Sequence, residues 1–357
     1  MRQRVMFGIY RLALALMVVV FHLSDHHPAG WYSVYAFYTL SGFLMTLVIT
    51  KKYAATPAGV ADFAVNRALR IYPPYLAMVA ITVVMLQFPA LAARARQLAD
   101  IGMPEGPAKW FENIFIWGWR MRDPMLVPQA WTIFRELFFC VLIFFPFARY
   151  RWLALAWFAV GLGYAGFVAA GDRPLVEIYT NFPNAGLCYA AGCCLFHFKR
   201  TLRPLSRPLV PLLVLTIIAP FVLEAVRPRF FTHGSVAPLY LNAFFSSYLV
   251  MLLSTIRGTP DWADLDRRLG NLSYPIYLCH YHVAVAVAAL LGWPMARSDN
   301  LLVACALPTL AVAWLLNRWI EQTIGYGYDQ RRRPWSSRPS RGAGTDAVPG
   351  ASAATSP

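Results

Sequence analysis

Apolar runs about 20 residues long recur along the chain, and this repetition limits its fold more than any other feature. A helix needs roughly 20 residues to cross the hydrocarbon core of a bilayer. Ten such runs are read at 7–25, 31–50, 73–93, 130–148, 151–170, 180–198, 209–226, 237–256, 273–292 and 299–319. Composition agrees, since 58% of residues are hydrophobic and 14% charged, against about a quarter charged in ordinary soluble domains. The pattern predicts an all-α, polytopic transmembrane helical bundle of about ten helices.

The basic residues orient that bundle. With the N-terminus inside, the inner segments hold Arg2, Arg4, Lys51, Lys52, Arg67 and Arg70, the clusters at 199–207 and 257–268, and a basic tail. The outer loops hold fewer, so the positive-inside rule places both termini in the cytoplasm. A net charge of +15 invites a nucleic-acid reading. The charges sit instead in short loops between apolar runs, where anionic headgroups meet them, and nucleic acid is set aside as a partner. The first run also looks like a secretory signal, but "DHHPAGWYS" after it lacks a small-x-small cleavage site; it is expected to stay as the first helix. All six cysteines fall inside predicted spans with no metal-type spacing, which predicts neither a disulfide framework nor a metal site.

Residues 1–325 read as one membrane domain. The remainder, 326–357, is rich in Pro, Ser, Ala, Gly and Arg, too poor in large apolar groups to bury a core, and reads as a disordered basic cytoplasmic tail. In the inner loop after the second run, Thr56 and Pro57 form a cap and first-turn pair for a short helix that Pro73 and Pro74 are expected to stop. The outer loop, 94–129, carries the aromatic "WFENIFIWGW", suited to an interfacial or re-entrant position.

Ionisable groups inside a bilayer are costly and usually functional. Arg11 and His22 lie 11 residues apart, which on a helix is three turns plus roughly 20° and a rise of about 16 Å. Both therefore project from one face, the arginine near the cytoplasm and the histidine toward the outer leaflet. The bland alternative is an arginine that snorkels and a histidine that caps. "AWTIFRELFF" places Arg135 and Glu136 in the fourth run, where Glu136 is expected to orient the His22 imidazole as a carboxylate does for a general base; a self-contained structural Arg–Glu arrangement is the alternative. Arg67 and Arg70, three apart, share a helical face suited to phosphate, or merely obey the topology rule. In "GNLSYPIYLCHYHV", Asn271 and Ser273 are possible caps, and His280 is preferred over His282 as the histidine facing the cavity, since residues two apart point to different sides. Ser41 and Gly42 in "TLSGFLM" are read as packing residues.

Together these pieces resemble the acyltransferase-3 family of integral membrane O-acyltransferases, which modify hydroxyls of bacterial cell-surface glycans and some small molecules. The resemblance rests on Arg11 and His22, the "SGFL" at 41–44, Arg67 and Arg70 with "RIYPPY" after them, Trp131, Thr132 and Glu136, and "LGNLSYPIYLCH". Two details depart from the pattern: "YAFYTLSGF" is less aromatic than usual, and Arg135 stands just before the acid. The resemblance implies a multi-pass protein of the bacterial inner membrane that uses acetyl-coenzyme A, or another acyl-coenzyme A, as co-substrate. Arg67 and Arg70 would then hold its phosphates, with Arg11 continuing the path. His22, oriented by Glu136, would deprotonate an acceptor hydroxyl, a covalent acyl-histidine being the competing route. Trp131, Thr132 and Arg135 are the candidate oxyanion donors.

The rivals are transfer of a larger acyl group such as succinyl, which a more basic cavity near His22 would favour, and a transporter or flippase for a glycan or lipid carrier. The latter would use the same ionisable groups but has no need of an RxxR pair aimed at a phosphorylated donor. Nothing in the sequence fixes the oligomeric state.

Overall fold

The computed structural model describes residues 6–24, 29–117, 124–171, 175–202, 237–256 and 258–331. Among them the regular elements are helical: α1 (Gly8–Leu23), α2 (Ala29–Lys52), α3 (Pro57–Met85), α4 (Pro89–Ala99), α5 (Gly106–Phe115), α6 (Ala130–Leu142), α7 (Arg151–Ala169), α8 (Leu175–Tyr179), α9 (Phe182–Leu202), α10 (Ala237–Leu253), α11 (Pro260–Leu290) and α12 (Asp299–Arg331). α6 widens into a π-helical turn at Ile143–Phe147, around Pro146. Six helices are long and apolar enough to span a membrane: α2, α3, α6 with its π turn, α7, α11 and α12. Gly8–Leu23 and Asn242–Leu253 are shorter apolar helices. The run at 209–226 lies outside the described residues.

Three boundaries differ from the sequence expectation. Thr56 does cap α3, accepting from the Gly59 amide at 3.2 Å, but the helix passes straight through Pro73 and Pro74 to Met85. Prolines are tolerated within membrane helices packed against neighbours; the carbonyls freed here are those of Leu69 and Arg70, and the next one, of Ile71, accepts from the Tyr274 hydroxyl of α11 at 3.0 Å, which braces the turn. α11 begins at Pro260, with the Thr259 side chain as its cap, so Asn271 and Ser273 sit inside the helix, where Ser273 donates back to the Gly270 carbonyl. α12 runs on to Arg331, making the first residues of the 326–357 stretch helical; no proline interrupts that segment before Pro334.

The described residues between α3 and α6 are built rather than loose. α4 and α5 both end on residues in the left-handed region, Asp100 and Ile116. Asn113, buried on α5, ties the loop together: its Oδ1 accepts from the Leu126 amide at 2.9 Å, and its carbonyl accepts from the Tyr75 hydroxyl of α3.

α2 packs along α9, and α1 lies between α2 and α11. The α2–α9 crossing depends on two small residues. A Cβ at Gly42 would stand 2.2 Å from the Tyr189 carbonyl oxygen, and one at Gly192 would stand 2.2 Å from that of Thr39. Close backbone approach through small residues is how membrane helices gain van der Waals contact without a hydrophobic drive. Gly42 is thus a packing residue, while Ser41 beside it is half-buried.

α1 has no cap of its own: Phe7 stands at its N-cap position without a side-chain bond. The need is met from α11, where buried Asp266 accepts from the Gly8 amide at 2.8 Å and the Ile9 amide at 2.9 Å. A carboxylate on free amides at a helix N-terminus is stabilising through both hydrogen bonds and the helix dipole. Asp266→Ala is therefore expected to destabilise the protein by about 1–2 kcal/mol, read as a lowered Tm in detergent with Asp266→Asn falling between; an unchanged Tm would show that α1 is anchored elsewhere.

Candidate active site

The N-terminal half of α1 brings Arg11 against α11 where Gly270 leaves room: a Cβ there would stand 2.6 Å from Arg11 Nη2. The Arg11 Nε is buried without a hydrogen-bond partner. Asp266, the nearby acid on α11, is engaged by the α1 amides. Arg11 lies within electrostatic reach of Arg70, Asp266, Glu136 and Arg67, so this end of α1 gathers three arginines around two acids. An excess of fixed cations in a poorly hydrated place is a receptive site for an anion.

The two arginines of α3 play unequal parts. Arg67 is buried; its guanidinium pairs with Glu136 at 3.5 Å, donates to Cys140 Sγ at 3.1 Å and touches Met45 Sδ. Arg70, one turn further on, is exposed. Glu136 and Cys140 are four apart and share the face of α6 that meets Arg67. This rotation explains why Glu136 is found with the arginines and not beside His22, the partner expected from sequence. The Glu136 side chain remains 35% exposed, open to whatever occupies the arginine cluster.

The partner of His22 is His280 of α11. His22 Nδ1 and His280 Nε2 are 2.8 Å apart, and Tyr281 stacks on the His22 ring with centroids 4.6 Å apart. The tautomers follow from the hydrogen-bond network. His280 Nδ1 lies 3.2 Å from the Ile276 carbonyl, which can only accept, so Nδ1 carries the hydrogen. For two neutral rings, His280 Nε2 is then an acceptor and the shared hydrogen belongs to His22 Nδ1. This leaves the His22 Nε2 lone pair free. A fixed tautomer with an open Nε2 is what a base or a nucleophile requires, and a backbone carbonyl and a second imidazole supply here what a carboxylate supplies in hydrolase triads. His282 points elsewhere, its Nε2 lying 2.6 Å from Thr82 Oγ1 of α3.

α6 contributes the remaining predicted residues. Thr132 Oγ1 lies 2.6 Å from the Tyr277 hydroxyl, and Gln129 donates to the Tyr277 carbonyl at 3.2 Å. The Tyr277 ring centroid is 6.2 Å from that of His280, which links the Thr132 hydroxyl to the histidine pair. Trp131 covers the Arg135 guanidinium, 4.3 Å from its centroid, and packs edge-on against Tyr179. Asp266, Tyr277 and Tyr281 were not visible as site residues in the sequence. Only the repeated aromatic spacing in "YPIYLCHYH" hints at the last two.

The family model described as an acyltransferase domain matches residues 9–318, nearly the whole helical body. No curated protein and no solved structure matches the chain.

Proposed function

Because the chain belongs to the acyltransferase-3 family, whose members move acyl groups within a membrane, we propose that it is an O-acyltransferase working along the Arg11–His22 face of α1. The observation that carries this reading is the His22–His280 pair at 2.8 Å, set about three helical turns from a cluster of three arginines. Phosphate binding belongs at one end and proton transfer at the other.

In this reading the bundle has ten spans with both termini cytoplasmic, in a bacterial inner membrane. A cytoplasmic acyl-coenzyme A, acetyl-coenzyme A in the simplest case, places its phosphates against Arg70 and Arg11, with Arg67 held ready by Glu136. The uncharged pantetheine arm runs between α1 and α11 toward His22. An acceptor hydroxyl, on a cell-surface glycan or related compound, attacks the thioester carbonyl while His22 Nε2 takes its proton. The oxyanion receives one hydrogen bond from the Thr132–Tyr277 hydroxyl pair, whose other hydrogen joins the two oxygens, as the donated hydrogen turns away from the Gln129 carbonyl. Its collapse breaks the C–S bond, and the imidazolium returns the proton to the departing thiolate, which leaves an ester and free coenzyme A. Glu136 acts on the donor side, as the acid that holds Arg67, rather than as the orienting group of the base.

The test is acetyl-coenzyme A binding and thiol release by the purified protein in nanodiscs, with and without a glycan hydroxyl acceptor. Saturable binding and acceptor-dependent thiol release are expected. Failure to bind any acyl-coenzyme A would overturn the donor reading and turn attention to transport, which needs the same intramembrane groups but consumes no thioester.

A further inference from the structure

We propose that Arg135 anchors a subsite for a carboxylate beside the reaction centre, a specificity element that rests on the acyl-transfer reading above. Arg135 is 7% exposed, on a helix long and apolar enough to cross the membrane. Its guanidinium stacks on Trp131 and donates through Nη2 to the Thr180 carbonyl, but Nη1 is buried with no hydrogen-bond partner. Among the described residues no carboxylate pairs with it, since its neighbour Glu136 faces Arg67. A buried cation without a counter-ion is among the most costly arrangements a bundle can hold. Stacking on an indole recovers a small part of that cost and leaves the in-plane N–H unused.

The surroundings fit a planar, doubly accepting anion. The Tyr38 hydroxyl of α2 lies beside the same guanidinium, where its oxygen is placed to accept from it, and its own O–H is buried with no acceptor. The phenol O–H thus stands unused beside a guanidinium whose charge is uncompensated, and a carboxylate accepts from both with its two oxygens. A neutral carbonyl would fill the valence of Nη1 but leave the charge uncompensated. The site also adjoins the chemistry. Tyr179 lies within electrostatic reach of both Arg135 and Tyr281, and Tyr281 stacks on His22. A substrate whose reacting atom is at His22 can therefore extend a second group past this aromatic layer to Arg135. Two substrates could carry the carboxylate: a dicarboxylic acyl group on the donor, or an acidic sugar as acceptor.

The experiment uses the purified full chain in nanodiscs and probe pairs that differ by one carboxylate. Succinyl- and butyryl-coenzyme A form the donor pair, and methyl glucuronide and methyl glucoside form the acceptor pair. Affinities are measured in wild type, Arg135→Met and Arg135→Lys. The expected result is a preference of about tenfold or more for the charged member of one pair, abolished in Arg135→Met and partly kept in Arg135→Lys. A donor-pair preference assigns the carboxylate to the acyl group; an acceptor-pair preference assigns it to the hydroxyl compound. The ratio within a pair is the readout, so a general loss of fold lowers both members alike. No preference in either pair, or one that survives Arg135→Met, overturns the proposal. If no coenzyme A ester binds at all, the donor reading falls separately and the acceptor pair still decides the role of Arg135.

Discussion

His22→Ala should lower acyl transfer by about 10²–10⁴-fold, the range lost when a positioned general base is removed, while acyl-coenzyme A binding stays within a few-fold of wild type. Binding is expected to persist because the phosphate contacts lie at the opposite end of α1. Alanine also strips His280 Nε2 of its partner at 2.8 Å, so His22→Asn, whose amide N–H takes the place of Nδ1–H but offers no base, guards against misreading a folding defect. The tautomer argument adds a sharper requirement. If His280 acts only by holding the hydrogen on His22 Nδ1, then His280→Ala alone should cost a large part of the same factor. Added to His22→Ala it should cost little more, since residues that act as a unit are strongly non-additive. Turnover within tenfold of wild type in His22→Asn, or losses that multiply in the double variant, would reject the histidine pair as the reacting unit.

The reach of sequence reasoning can be judged from these same residues. Six of the ten apolar runs stand among the described residues as helices long and apolar enough to span, legible because length and apolarity are local properties, and the shared face of Arg11 and His22 was legible because helical period fixes it. The path of α3 through Pro73 and Pro74 was not, because the packing that braces that turn, the Tyr274 hydroxyl on the Ile71 carbonyl, comes from a helix two hundred residues away. Partner choice was hidden for a similar reason. A polar residue in an apolar helix announces that it needs a partner, but which one it meets depends on the rotation of that helix against its neighbours. α6 turns Glu136 and Cys140 to α3 and leaves Arg135 facing Thr180. α11 turns His280 to α1 and His282 to Thr82 of α3. The carboxylate expected beside His22 is thus found with Arg67, and the His280 imidazole takes its place.

That exchange separates the two arginines that sequence spacing treats alike. Arg70 is exposed, so Arg70→Ala should leave Tm unchanged and raise the KM for acyl-coenzyme A by about 10–100-fold, the loss of one charge-assisted phosphate contact, with kcat altered only a few-fold. Salt should weaken donor binding less in this variant than in wild type, because the contact removed is one that mobile ions screen. Arg67→Ala should behave differently: it leaves Glu136 beside Cys140 without its cation, and a drop in Tm is expected together with weaker donor binding. Since the Glu136 side chain is 35% exposed, that destabilisation should be about 1–3 kcal/mol rather than the 3–5 of a fully buried pair. Adding Glu136→Gln to Arg67→Ala removes the stranded charge, and should restore Tm without restoring donor affinity. Recovery of affinity along with Tm would make Arg67 a structural counter-ion only. An unchanged KM in Arg70→Ala would remove the phosphates from this face of α3 altogether, and with them the reason for a donor to approach along α1.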